Sequence, residues 1–333
     1  MAGEIEMAKD AKKLTVAAVQ MESKNGAVEE NLRRATGFAE EAAQRGAELI
    51  VFPEFMPTGY VFTPEIWDAG EPADGPTARW LAETSKRLGV SIGTSFLEAV
   101  GEDFLNTFLI TGLDGSAWGK VRKEKPAAVE ACYFKGEKND HVIETDFAKI
   151  GVGICYENQL SFLPRLMCAG SVDLILMPHS APSPTPTPLM RQSRLDEYAK
   201  VLEKMPPMYA SRLGVPVVYI NKSGPFRSPV PGMPFYRQDS RFPGTSTIVD
   251  SDGKVLERLG LEEGIAVATV SLDPARKTCT AWPGHGRWSL QVPWEISVFV
   301  AAEACGRGYY AMKNERRRKA LEISSREGAR REE

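Results

Sequence analysis

Short, nearly unbroken apolar runs alternate along this chain with segments whose apolar positions recur every three or four residues. Leu14 to Gln20 (LTVAAVQ) and Glu48 to Pro53 (ELIVFP) lack the period-two polar positions of a half-exposed strand, so they predict strands covered on both faces. Between them, after the turn signal Asn25-Gly26, residues Val28, Leu32, Ala35, Ala39, Ala42 and Ala43 share one helical face, and Gly46 stops the helix. Pro76 to Leu88 predicts a second helix with proline in its first turn and Gly89 at its end. Val90 to Ser95 is the next strand, and Phe104 to Thr111 with a segment from Ala117 flanks the hairpin signal Asp114-Gly115.

The pattern then begins again. Lys149 to Asn158 (KIGVGICYEN) is an apolar run with alternate glycines that ends in Cys155 and turns polar at once. Leu160 to Ala169 has helical spacing at Leu163, Leu166 and Met167, and Val172 to Pro178 (VDLILMP) is a strand. A helical region from about Pro188 to Leu213, expected to break near Pro206-Pro207, precedes the strand Val215 to Asn221. Leu49 to Glu54 (LIVFPE) and Leu174 to His179 (LILMPH) echo each other, both being apolar strands closed by proline with a titratable residue next. The echo predicts two similarly built halves that aim strand ends at one place. Residues 224 to 243, rich in Pro and Gly, are expected as a long loop. Strands follow at Thr245 to Val249 and Ile265 to Leu272, with a turn at Asp252-Gly253. From Ala301 the chain reads as helical and then charged: Lys313 to Glu333 sets eight Lys or Arg against five Asp or Glu and is expected outside the core. Strands alternating with helices argue for an α/β protein with at least partly parallel sheets.

Composition narrows the function classes. With 43% hydrophobic residues and a net charge of -3, the chain of 333 residues has a large core and no global attraction to nucleic acid or anionic membrane. Its five cysteines (132, 155, 168, 279 and 305) form no C-x-x-C pair, and its three histidines (141, 179 and 285) lack metal-ligand spacing. A reduced, cytoplasmic protein without metal is the expectation. No apolar run approaches the ~18 residues of a membrane span, so a soluble chain is expected. No G-x-G-x-x-G follows a strand, and neither G-x-x-x-x-G-K-[ST] nor G-x-S-x-G occurs.

Chemistry concentrates at strand ends. Cys155 stands at a strand-to-helix junction, where unpaired amides and the helix dipole favour a thiolate and can bind an oxyanion. Free cysteine also packs readily as a small apolar residue, so the case rests on its companions. Glu54 lies just past an apolar strand among aromatics, where burial raises a carboxyl pKa, although a turn cap would look the same. Lys120 to Lys125 reads by composition alone as a solvated charge run.

Glu54, Lys123 and Cys155 together resemble the triad of the nitrilase, or carbon-nitrogen hydrolase, superfamily, and the likeness extends over most of the chain. Val16 to Gln20 matches the opening strand, Pro53-Glu54 the PE motif, Arg122-Lys123 the RK motif, Glu130 with Tyr133-Phe134 the following glutamate, and Cys155 to Glu157 the CYE-type elbow. Tyr219 to Gly224 and Phe242 to Gly253 look like the rest of the core. The resemblance implies an αββα sandwich of two mixed sheets flanked by helices that associates as αββααββα dimers or higher homo-oligomers. It also implies Glu54 as general base, Lys123 and the Tyr156 N–H as oxyanion donors, Cys155 as nucleophile and Glu130 as a holder of Lys123 or substrate, with no cofactor. The expected layout is a flexible N-terminus (1–12), a carbon-nitrogen hydrolase domain (13–300) and a helical, charged tail (301–333).

Departures from the family pattern leave the branch open. Lys125-Pro126 follows the lysine, Ser161-Phe162 replaces a frequent Pro-Glu, Arg165 falls where amidases have arginine, and Tyr156 stands where nitrilases more often have Trp. The expected activity is hydrolysis of a linear amide or N-carbamoyl compound, with nitrile hydrolysis as the alternative and a non-catalytic oligomeric scaffold as the alternative outside enzymes. Acyl transfer to a lipoprotein would need membrane spans. Tyr60, Glu157, His179 and Ser180 are expected to line the cavity with Tyr156. Arg227, Arg237 and Arg241 in the 224–243 segment are expected to bind a substrate carboxylate.

Overall fold

The structure, a computed structural model, describes residues 11–186, 191–230, 233–280, 282 and 285–329. One six-stranded sheet is built from β1 (Lys12–Gln20), β2 (Leu49–Val51), β3 (Ser91–Val100), β4 (Asp103–Thr111), β5 (Ala117–Arg122) and β14 (Gly264–Leu272), in the order β14-β1-β2-β3-β4-β5. The other holds β6 (Val142–Glu144), β7 (Lys149–Val152), β8 (Leu174–Pro178), β9 (Val217–Ile220), β12 (Thr247–Val249) and β13 (Val255–Arg258), in the order β13-β12-β9-β8-β7-β6.

Alternation along each strand explains the unbroken apolar runs. Val16 and Ala18 of β1, Leu49 and Val51 of β2, Leu174 and Leu176 of β8 and Val218 and Ile220 of β9 meet in the core between the sheets. Their neighbours Ala17, Val19 and Ile50 face outward onto α1 (Val28–Gln44) and α2 (Pro76–Leu88). Ile175, Met177 and Val217 do the same towards α3 (Phe162–Ala169) and α4 (Gln192–Leu213). Both faces of the central strands are therefore dry, and the layers are α, β, β, α.

The two halves repeat the same pairing. Read from β14, the ladders run antiparallel, parallel, parallel, antiparallel, antiparallel, and read from β6 they run identically. The echoing strands β2 and β8 each occupy third place. Their C-terminal ends bring Glu54 and Ser180 into contact, the Ser180 N–H donating to Glu54 Oε2 at 2.8 Å.

Four expectations are corrected. Residues 224–243 are not a loop. They hold the hairpin β10 (Pro225–Val230) and β11 (Met233–Arg241), with a register shift at Pro229. Its prolines sit at a strand start and at this irregularity, where no ladder donor is missed, and Phe226 anchors it among Tyr60, Phe62 and Phe242. Helix α4 runs on through Pro206 and Pro207, because Met205, Pro206, Tyr209 and Ala210 are buried and their packing outweighs the lost hydrogen bonds. The expected start of that helical region near Pro188 lies outside the described residues.

The charged tail, thirdly, contributes to the core. After α5 (Val298–Met312), helix α6 (Asn314–Ala329) places Ala320 and Ile323 in the aromatic cluster of Trp67, Phe104 and Tyr133. The Tyr310 hydroxyl accepts the Phe104 N–H at 2.8 Å, and buried Arg316 reaches Asp103 at 2.9 Å. Finally, Cys168 and Cys279 are joined as a disulfide with their Cα atoms 5.8 Å apart, while Cys132, Cys155 and Cys305 are free. Sequence spacing cannot reveal such a contact between residues 111 positions apart.

Candidate active site

Cys155 opens a 3-10 turn (Cys155–Gln159) directly after β7, with φ at 55°. A non-glycine residue in the left-handed region persists only where its surroundings hold it. Here the Asn158 side chain donates to the carbonyls of Gly153 (2.7 Å) and Cys155 (3.0 Å). Gly153 has no alternative, since a Cβ there would stand 2.1 Å from Asn158 Oδ1. The carbonyl of Asn158 is in turn held by the Tyr209 hydroxyl (2.7 Å) and Ser289 Oγ (3.0 Å).

Glu54, Lys123 and Glu130 are fully buried and form one ion-paired group. Lys123 Nζ lies 2.8 Å from Glu54 Oε1 and 2.7 Å from Glu130 Oε2. Glu54 also accepts from Asn106 Nδ2 at 2.7 Å, and Glu130 from the Tyr60 hydroxyl and the Ala127 N–H, both at 2.5 Å. The run of charges at the end of β5 thus splits: Lys120 and Arg122 bind Glu98, while Lys123, just past the strand, turns inward with its backbone N–H on the Asn106 backbone carbonyl at 2.8 Å.

Burial works against the charge on Lys123, but the carboxylates of Glu130 and Glu54 outweigh it and hold the ammonium far above its ordinary range. Burial pushes the Cys155 thiol well up, as does the negative charge of Glu54, with Lys123 opposing them. Cys155 therefore rests as a protonated thiol. Burial likewise raises the Glu130 carboxyl, against the pull of Lys123.

Other expected residues divide. Ser180 touches Glu54 twice, its N–H on the carboxylate and its hydroxyl on the Glu54 carbonyl at 2.5 Å. His179 is buried, with Nδ1 2.9 Å from the Met177 carbonyl, its ring centroid 4.5 Å from that of Tyr219, and its ring also against the Cys155 backbone. Burial drives its pKa down to about 4, so the imidazole is neutral. The Tyr156 ring packs against Trp288 and Phe299. Glu157 serves as a strap: its carboxylate takes the N–H groups of Glu124 (2.6 Å), Lys125 (3.1 Å) and Ile154 (3.1 Å), tying the loop after Lys123 to the elbow. Arg227, Arg237 and Arg241 are exposed, and Arg227 pairs with Asp239 and Arg241 with Glu262. The structure does not bring these arginines into the buried group.

Sequence reasoning missed Asn106 and Lys222. Asn106 interrupts the apolar β4 run, and a polar residue inside such a run was the available signal. Lys222 sits one residue beyond Asn221, buried, with its Nζ 2.8 Å from the Phe55 carbonyl.

The chain is similar to known proteins in sequence and in fold. It is 29% identical over 269 residues to the chloroplastic omega-amidase of Arabidopsis thaliana, covering 76% of this chain and 66% of that protein. It is 28% identical over 287 residues to the N-carbamoylputrescine amidase of Solanum lycopersicum, covering 83% and 92%. The fold matches the crystal structure of a carbon-nitrogen hydrolase from Helicobacter pylori G27 with a TM-score of 0.69 at 18% identity, covering 78% of this chain and 90% of that one. The carbon-nitrogen hydrolase family profile matches residues 15–279, and the chain belongs to that family.

Proposed function

We propose that this carbon-nitrogen hydrolase cleaves a linear amide or N-carbamoyl compound through a thioester on Cys155. The observation that carries the reading is the buried Lys123 ammonium bridging Glu54 and Glu130 beside the Cys155 thiol. Glu54 takes the thiol proton as sulfur attacks the carbonyl carbon. The oxyanion that forms meets the Lys123 ammonium and the Tyr156 N–H, each such donor contributing about 3 kcal/mol to transition-state stabilisation. Collapse breaks the C–N bond, Glu54 returns the proton to nitrogen, and ammonia or an amine leaves. Water then attacks the thioester, losing its proton to Glu54, and the acid departs as the thiol is restored.

Two relatives named as amidases, an omega-amidase and an N-carbamoylputrescine amidase, support this substrate class. Tyr60, Ser180 and His179 are the groups we assign to substrate contact. Among the described residues no helix is long and apolar enough to cross a membrane. Association of two copies belongs to the same proposal, supported by exposed Trp294 and Val298 ahead of and at the start of α5. The test is ammonia release across amides, N-carbamoyl amino acids, ω-amidated diacids and nitriles. Turnover confined to nitriles contradicts the reading.

A further inference from the structure

The turn that presents Glu54 is pinned by groups far along the chain. Past Glu54 the backbone reverses at Phe55, whose φ of 49° is left-handed for a bulky residue. Buried side chains reach both backbone groups of Phe55: its N–H donates to Ser95 Oγ at 2.9 Å, and its carbonyl accepts from Lys222 Nζ at 2.8 Å as well as from the Gly59 N–H of its own turn at 3.0 Å. Next to Lys222, the Asn221 amide grips Ala181 from both sides, accepting its N–H at 3.0 Å and donating to its carbonyl at 3.2 Å. Ala181 follows Ser180, the residue whose N–H holds the other oxygen of Glu54. Asn221 and Lys222 at the end of β9 thus steady both flanks of one carboxylate.

Lys222 is an expensive tether. An ammonium removed from water needs compensation, yet this one has the Phe55 carbonyl and the Phe242 ring 6.0 Å away, and no carboxylate within ion-pair distance among the described residues. Burial lowers its pKa to about 7, opposed by the charge of Glu54.

We propose that Lys222 is a positioning residue for Glu54, fixing the direction of the carboxylate through the Phe55 carbonyl and adding a second buried cation to its surroundings. The inference rests on Glu54 acting as the base. The charged or titratable groups around Glu54 are Lys123, Glu130 and Tyr60 from the first half, Cys155 and His179 from the strand ends of the second, and Lys222 from the end of β9.

The experiment compares Lys222→Met, Lys222→Arg and Ser95→Ala with wild type in amide hydrolysis from pH 5 to 9, with thermal melts of each and Glu54→Gln as control. Lys222→Met is expected to lower kcat about 10- to 100-fold, the scale of a misplaced catalytic group, with KM nearly unchanged. Its acid limb should move to higher pH, because losing a nearby cation makes carboxylate protonation easier. Lys222→Arg should recover most of kcat and hold it above pH 7, where the lysine loses its proton. Ser95→Ala loosens the turn without removing charge, so kcat should fall while the acid limb stays in place. A folded Lys222→Met with wild-type kcat and acid limb overturns the inference, and if that variant does not fold, wild-type kcat in Ser95→Ala overturns it. An active Glu54→Gln would sink the parent reading instead.

Discussion

Asn106 Nδ2 donates to Glu54 Oε1 at 2.7 Å, while the Asn106 backbone carbonyl accepts the Lys123 N–H at 2.8 Å, so one strand residue sets Glu54 and Lys123 side by side. Asn106→Leu should therefore reduce kcat more than tenfold. It should also lower stability by about 1 to 3 kcal/mol, since a buried carboxylate loses one of its donors. Urea melts and steady-state kinetics on the same preparation check both, and unchanged kcat removes Asn106 from the site.

Lys123 pairs with both Glu54 and Glu130, and breaking a buried ion pair from one side costs about 3 to 5 kcal/mol. Lys123→Met should lose activity and much of its stability together. Glu130→Gln, which keeps the shape and the contact with Tyr60, should lose far less stability. Equal melting of the two variants would contradict the pairing.

Thiol labelling separates accessibility from chemistry. Cys305 is exposed, Cys132 is buried with its pKa pushed up to about 11, and Cys155 rests as a protonated thiol. Iodoacetamide should label Cys305 readily at neutral pH and Cys132 last. Cys155 labelling should be suppressed by a competing amide, and peptide mapping that finds no such protection at Cys155 tells against it as the nucleophile.

His179 titrates near pH 4 when folded, against ~6.5 in an unfolded chain. The unfolded state binds the extra proton between those values, so this residue's contribution to stability is present above pH 6.5 and is lost as pH falls towards 4. His179→Phe should show a shallower loss of stability across that window in pH-dependent melts. An unchanged slope would mean that the imidazole is not held neutral.

Much of the fold was legible because dry strands announce themselves: β1, β2, β7 and β8 lack polar alternation, and the residues that follow β2 and β7, Glu54 and Cys155, are buried. The hairpin at Pro225–Arg241 was not legible, because its order comes from Phe226 in a distant aromatic cluster and its prolines mimic loop composition. Helix α6 hid the buried Ala320 and Ile323 among charges. Lys222 was illegible for a different reason: its partner is a backbone carbonyl 167 residues away, and backbone contacts leave no mark in side-chain pattern.

The most direct measurement is rapid-quench mass spectrometry of the protein mixed with a slowly hydrolysed amide. The expected result is a transient acyl adduct on the peptide carrying Cys155, discharged by hydroxylamine as a hydroxamate, with both adduct and ammonia release absent in Cys155→Ala. Ammonia release that survives in Cys155→Ala, or an acyl group found only on another residue, would contradict the account.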